Sequence, residues 1–556
     1  MRQVGAGPRW AGVRVPYAVP AAAAMCVGAF GLILYLARRF DFYYDEWDFV
    51  LGAPHWTLRD YFVPHNEHWS TLPSVIYKAL FLTVGAHSYL PFMGAVLLLH
   101  VATAFLLFMM IRRRSGDLLG LASAAMMLFL GRGFENILWA FQVGFVGSIV
   151  FGLLAMYLLD TATARTAGAL VASASLVLSL ASSGIGLFFC GALAVDLLLD
   201  RSRRHYLWVL IAPAVAYTLW YVKFGLQYAG VHRSPLSLTA LQQLVGYVPL
   251  GIGAAMAGLF SLSVNWSQLA LAVLTAGLAV VWYRAGKVGS RVVGAAVGLI
   301  LQFALTGLVR AQFGDLQAGS PRYVYIGSVF LVLILTDAVR ELPWRGLWRP
   351  ALAAVVIMSI GWNAVHLRQA AASKDVQFAF QKAELRTVWL FRDAPGIDLN
   401  ARIDPVLMPQ VSVGAYLRSR EQLGSPLPDI TPGGLQELDP HAVNQAMRNM
   451  MPIKIESTDP PGKVTQCRSS SAGGGIDITL AGGSTAVLHS SRLAQVQLST
   501  WVMGDQPDTP GIVLRTAADG SATVILPDTG QGIDWHVRGQ DSAAAAVVTV
   551  CSIGAA

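Results

Sequence analysis

Long apolar stretches separated by short basic clusters fill the chain up to about Ala364; beyond Arg368 no stretch is long enough to span a bilayer. A membrane span needs about 20 mostly apolar residues. Candidate spans fall at 16–37, 89–111, 117–131, 142–159, 164–181, 184–200, 206–222, 267–283, 292–310, 323–339 and 350–365. The first is too long for a signal-peptide core and lacks a small-residue cleavage pattern, so it reads as a retained helix. The apolar region 240–262 is a possible twelfth.

Charge decides between eleven and twelve. Arginine and lysine cluster at Arg112–Arg114, at Arg201, Arg203 and Arg204, at Arg284, Lys287 and Arg291, and at Arg340, Arg345 and Arg349. Basic loops stay on the cytoplasmic side. With the N-terminus inside, eleven spans satisfy all four clusters and place the C-terminal region outside. A span at 240–262 breaks this parity, so that segment is expected to be re-entrant or interfacial. The same pattern explains the formal charge of +8 without nucleic acid, which is not an expected partner. Only 13% of the 556 residues are charged, against roughly a quarter in soluble domains. The expected class is therefore a polytopic α-helical protein of the plasma membrane, with about eleven helices.

Three regions follow: a transmembrane domain at 1–365 with its first external loop at 40–88, a mixed helical and loop connector at 366–452, and a β-rich domain at 453–556. In the last, short runs such as GIDITLA, TAVLHS and SATVILP alternate with Gly and Asp turns, as in a sandwich-like domain. Two of the four cysteines, Cys467 and Cys551, lie in this extracytoplasmic tail and are expected to form a disulfide.

The first loop concentrates chemistry. Asp45, Glu46 and Asp48 lie within four residues, and His65, Glu67, His68 and Trp69 follow. A carboxylate there can take the proton of an attacking sugar hydroxyl, and the aromatic rings around it can stack on sugar faces. An ordinary solvated loop with interface-anchoring aromatics is the alternative, but acids and imidazoles beside lipid need a polar cavity or a partner. A second polar set, Arg132, Glu135, Asn136 and Gln142, lies at another outer junction. A third comprises Arg310, Gln312, Asp315, Arg322, Tyr323 and Tyr325. Arginine on the outer side runs against the positive-inside trend. It calls for an anion, and a guanidinium suits phosphate, with a salt bridge to Asp315 or lipid headgroups as the alternatives. Lys223, His232 and Arg233 form a weaker set. No His/Cys cluster with zinc spacing is present, and the glycine run at 473–475 lacks a P-loop lysine.

Together, the acidic motif after span one, the interfacial segment Trp69–Val84, the outer arginine and the soluble tail resemble the GT-C superfamily of integral membrane glycosyltransferases. That resemblance implies an enzyme transferring sugar from a polyprenyl-phosphate donor to a cell-envelope glycan acceptor, with inversion. It implies Asp45 as the general base, with Glu46 and Asp48 as rivals, and Arg322 as the donor-phosphate ligand. It implies no obligatory metal, with a divalent ion possible. Composition rich in Ala, Gly and Arg fits a high-GC bacterium such as an actinobacterium, making arabinan or mannan reasonable acceptors. A lipid-linked glycan transporter and a glycan-binding scaffold are the rival classes.

Overall fold

The computed structural model describes residues 14–160, 165–228, 238–286, 288–340, 346, 348–456, 464–471, 475–490, 495–505, 512–515, 521–541 and 547–553. The chain divides into two compact units. The first comprises Met1–Phe40, His55–Thr83 and Leu90–Lys374; the second comprises Asp41–Pro54, Val84–Tyr89 and Asp375–Ala556. The first loop thus contributes to both.

The first unit is a helical bundle. Among the described residues, nine helices are long and apolar enough to cross a membrane. Three stretches expected to span form shorter helices: Asp117–Leu128 (12 residues), Thr166–Ser182 (17) and Gly186–Leu199 (14). At 1.5 Å per residue the shortest covers only about 18 Å. The chain after it turns at Leu130 and Gly131 and continues as irregular structure to Gln142, with Asn136 and Gln142 buried. Non-helical backbone at such a depth is tolerated where protein surrounds it.

One member of each of the four basic clusters, Arg114, Arg203, Arg291 and Arg340, joins the same set of aspartates. Arg114 pairs with Asp160 at 2.5 Å, and Arg291 with Asp160 at 3.2 Å and with Asp196 at 3.8 Å. Arg203 grips Asp196 with two N–H groups, at 2.6 and 3.0 Å. Asp337, which pairs with Arg340, lines one small cavity with Arg114, Asp160, Asp196 and Arg291. Arg112 pairs with Asp117 at 2.9 Å.

The segment expected to be re-entrant or interfacial forms the Leu238–Leu259 helix, 22 residues long and apolar enough to cross. Leu244 and Tyr247 meet Gly307, Gly246 meets Asp315, and Gly251 meets Phe303. Further along, Ala255 meets Gly327, and Gly258 meets Val324 and Arg132. These partners lie on the Ser290–Arg310 and Pro321–Arg340 helices, in the junction between them and at Arg132. The glycines of the Leu238–Leu259 helix let neighbouring helices approach closely, as small residues do in membrane packing.

The Trp348–Leu390 helix begins in the first unit, continues past the expected boundary at 365 without a break and ends at Leu390, in the second. Helices Val413–Leu423 and Pro440–Met450 follow, the second capped by Asp439, which accepts from His441 and Ala442 N–H. Nine strands then form two antiparallel sheets: β1 Lys454–Glu456, β2 Val464–Ser469, β3 Ile476–Leu480, β4 Thr485–Ser490, β5 Gln495–Trp501, β6 Ile512–Arg515, β7 Ser521–Ile525, β8 Trp535–Asp541 and β9 Val548–Ile553. Their orders are β1-β7-β4-β9-β2 and β3-β8-β5-β6. Gly539 on β8 lies against Leu488, Val548 and Val550, so apolar faces of the two sheets meet there. Cys467 and Cys551 stand opposite each other on β2 and β9 and are disulfide-bonded.

Well beyond the apolar 350–365 stretch, Glu384 is fully buried beside Asp404 and Gln445. Burial, and then the Asp404 charge, push its carboxyl up to about 10, while Gln445 opposes the rise. The folded chain therefore holds a proton that the unfolded chain, with an ordinary value of 4.5, has lost. Stability tied to this group is fully present below pH 4.5 and declines as pH rises toward 10. Glu384→Gln should raise the melting temperature at pH 9 and change it little at pH 5. Thermal unfolding of purified protein at both values checks this.

Candidate functional site

The acidic motif belongs to the second unit. Tyr44 adopts φ +49°, turning the chain before the short Glu46–Gly52 helix, whose first turn carries Glu46 and Asp48. Asp45 occupies the position before that helix. Glu46 is fully buried. It accepts the Tyr43 backbone N–H at 2.9 Å and the Tyr89 hydroxyl at 3.0 Å. Its carboxylate ties the turn to the far end of the first loop, which is a structural duty. Phe42 packs edge-on against Tyr89 at 5.2 Å, and its carbonyl accepts from Gln381 at 2.7 Å.

Asp45 and Asp48 are differently placed. Their ligand oxygens lie within 4.8 Å of one another. Burial, and then the Asp45 charge, push the Asp48 carboxyl up to about 6. These two carboxylates can take part in holding a divalent ion, so the expectation of an optional metal acquires named ligands. Asp41, which sequence reasoning passed over, is buried and likewise pushed up to about 6 by burial, against the lowering effect of Lys382.

The remaining candidates lie in the first unit. His65 and His68 exchange backbone hydrogen bonds at 3.1 and 3.0 Å across a two-residue turn. Asn66 and Glu67, at its centre, adopt φ +46° and +64°. Both rings sit edge-on to aromatics, His65 to Phe141 and His68 to Phe145, each at 5.2 Å. Burial drives both imidazoles down to about 4, with the Arg310 charge adding to the effect on His68, so both are neutral at pH 7. Glu67 reaches Arg310 at 3.1 Å. Arg322 pairs with Glu135 at 2.7 Å and lies over the Trp139 ring at 5.7 Å. Tyr323 follows Arg322 and feels the charges of both arginines and both glutamates.

Other candidates meet protein neighbours. Trp69 is buried and stacks on Trp220 at 5.4 Å, and its indole N–H donates to Thr71. Arg132 donates to the Ser261 carbonyl at 3.2 and 3.3 Å. Tyr325 is buried and meets His100 at 2.8 Å. Lys223 lies 5.6 Å from the Phe224 ring. His232 and Arg233 lie outside the described residues. Sequence reasoning missed Tyr247, which sits fully buried in the apolar Leu238–Leu259 helix with nothing local to mark it.

Because Glu46 is buried and accepts from Tyr43 and Tyr89, Glu46→Ala should destabilise the protein by about 1–3 kcal/mol; thermal unfolding in detergent measures it. Comparison with models of known protein families, with curated protein sequences and with solved structures finds no match to this chain.

Proposed function

We propose that this membrane protein is an inverting glycosyltransferase that uses a polyprenyl-phosphate sugar and an extracytoplasmic envelope-glycan acceptor. The observation that carries the reading is the division of labour among three neighbouring acids. Glu46 is committed to Tyr43 and Tyr89, whereas Asp45 and Asp48 form a coupled pair. A coupled pair beside a rigid structural carboxylate is suited to moving a proton near neutral pH.

In this reading Asp45 is the base. It takes the proton of the acceptor hydroxyl as that oxygen bonds to the anomeric carbon. The bond from that carbon to the phosphate oxygen breaks, and polyprenyl phosphate leaves without needing a strong acid. Asp48, whose carboxyl is held near 6, senses the charge on Asp45 and tunes the pair. Asp45 and Asp48 would hold a divalent ion, which would supply positive charge easing ionisation of the hydroxyl. Arg322 and Tyr323 belong to the donor side, where a guanidinium recognises phosphate. This reading keeps eleven crossings with the C-terminal domain outside, and the ion pairs that join Arg114, Arg203 and Arg291 in the first unit support it.

Asp45→Asn keeps the shape and removes the base, so turnover should fall about 10²–10⁴-fold with the fold intact. Glu46→Gln and Asp48→Asn should cost less. Glycosyl transfer by each variant in detergent, with donor binding measured separately, checks this. Near-wild-type turnover in Asp45→Asn with collapse in Asp48→Asn would move the base along the motif. Asp48 is ionised above about pH 6 and protonated below it. Wild-type turnover should therefore fall as pH drops through that value, and Asp48→Asn should lose that acid limb of the rate profile.

A further inference from the structure

The Arg310–Glu67 pair carries more than a structural contact. Arg310 ends the Ser290–Arg310 helix, and Arg322 begins the next one after a short junction. Glu67 and His68 stand side by side in one turn, so the Arg310 pair lies next to His68, and the charges of both arginines act on His68 and Tyr323. Each faces a carboxylate, Glu67 at 3.1 Å and Glu135 at 2.7 Å. A third group enters from the Leu238–Leu259 helix. The Tyr247 hydroxyl is fully buried and has no hydrogen-bond partner among the described residues, and its ring packs at Gly307, one turn before Arg310. A buried hydroxyl left without a partner is costly, and the Arg310 that follows is a cation that attracts an anion.

Glu67 is the movable member of the set. It stands in a two-residue turn with left-handed backbone at both central positions, a conformation that suits asparagine and disfavours glutamate. It touches Arg310 through one N–H···O contact. A phosphate oxygen pair can engage the guanidinium fork at two points and accept from Tyr247 as well.

We propose that Arg310 and Tyr247 form a phosphate site with Arg322, and that Glu67 is a built-in carboxylate occupying it until a phosphate-bearing ligand displaces it. The ligand class is a phosphate monoester or diester presented at the outer membrane surface. Identification of that ligand as the polyprenyl-phosphate donor rests on the glycosyltransferase reading above. No covalent step is involved; one anion replaces another on Arg310.

The test uses full-length protein in neutral-lipid nanodiscs with sugar-free decaprenyl phosphate as probe. Glu67→Gln removes the competing charge and should tighten probe binding several-fold. Arg310→Ala should weaken it roughly tenfold or more, the scale of a lost charge-assisted bond. Arg310→Lys should recover part of the loss, and Tyr247→Phe, close to isosteric, should weaken binding several-fold. Unchanged or weaker binding in Glu67→Gln overturns the displacement, and unchanged binding in both Arg310→Ala and Tyr247→Phe overturns the site. Equal competition by phosphatidylglycerol added to the nanodiscs would assign these residues to bilayer headgroups and overturn the donor assignment; weak competition by it supports that assignment. Because the probe carries no sugar, these outcomes do not depend on catalysis. Tight, Glu67-sensitive binding with no transfer from any sugar donor would uphold the site and reject the glycosyltransferase reading. Transfer with an unaltered donor KM in Arg310→Ala would do the reverse.

Discussion

A charge next to lipid must find an opposite charge, a hydrogen bond or water, because desolvating it alone costs several kcal/mol. That requirement sorts the first unit's ionisable groups into two levels. At one end Arg114, Asp160, Arg291, Asp196 and Arg203 form a continuous chain of ion pairs linking segments far apart in sequence. Buried pairs of this kind contribute little net stability over apolar packing, but breaking one leaves an uncompensated charge. They fix which helix ends lie together. At the other end Glu67–Arg310 and Glu135–Arg322 do the same for loops that carry the candidate chemistry. Exposure is graded within the first end, from 2% at Arg203 to 29% at Arg291, and reaches 34% and 35% at Arg310 and Arg322.

The same economy operates around the acidic motif. One of its three carboxylates is spent on holding the turn. Glu46 joins residue 43 to residue 89, so the loop that begins and ends there has a fixed base. Gln381 adds a second anchor through the Phe42 carbonyl. With the backbone tied down at these points, Asp45 and Asp48 are held close enough to perturb one another. A site whose groups are positioned by other residues loses less entropy when it acts.

The bundle, its basic end and the β-rich tail were legible in the sequence because they rest on additive signals: runs of apolar residues, clusters of arginine, and period-two alternation. The disulfide was legible because only two cysteines lie in the tail. What stayed hidden depended on long-range packing. Nothing near Glu46 shows that it faces Tyr89 rather than a substrate. Trp69 reads as an interface or sugar-stacking ring, yet Trp220, remote in sequence, covers it. The Asp117–Leu128 helix ends before the apolar run does, and hydropathy registers no break there. Tyr247 is one aromatic residue in an apolar run, and only the approach of Arg310 and Tyr323 gives its hydroxyl meaning.

The central claim is sugar transfer from a lipid phosphate at the outer face. Its most direct test is incubation of the purified, full-length protein with radiolabelled polyprenyl-phosphate sugars, each paired with envelope-glycan acceptors. The account predicts that label moves from lipid to glycan for at least one donor, with inverted anomeric configuration in the product. Protein that binds polyprenyl phosphate yet moves label from no donor to any acceptor would contradict it.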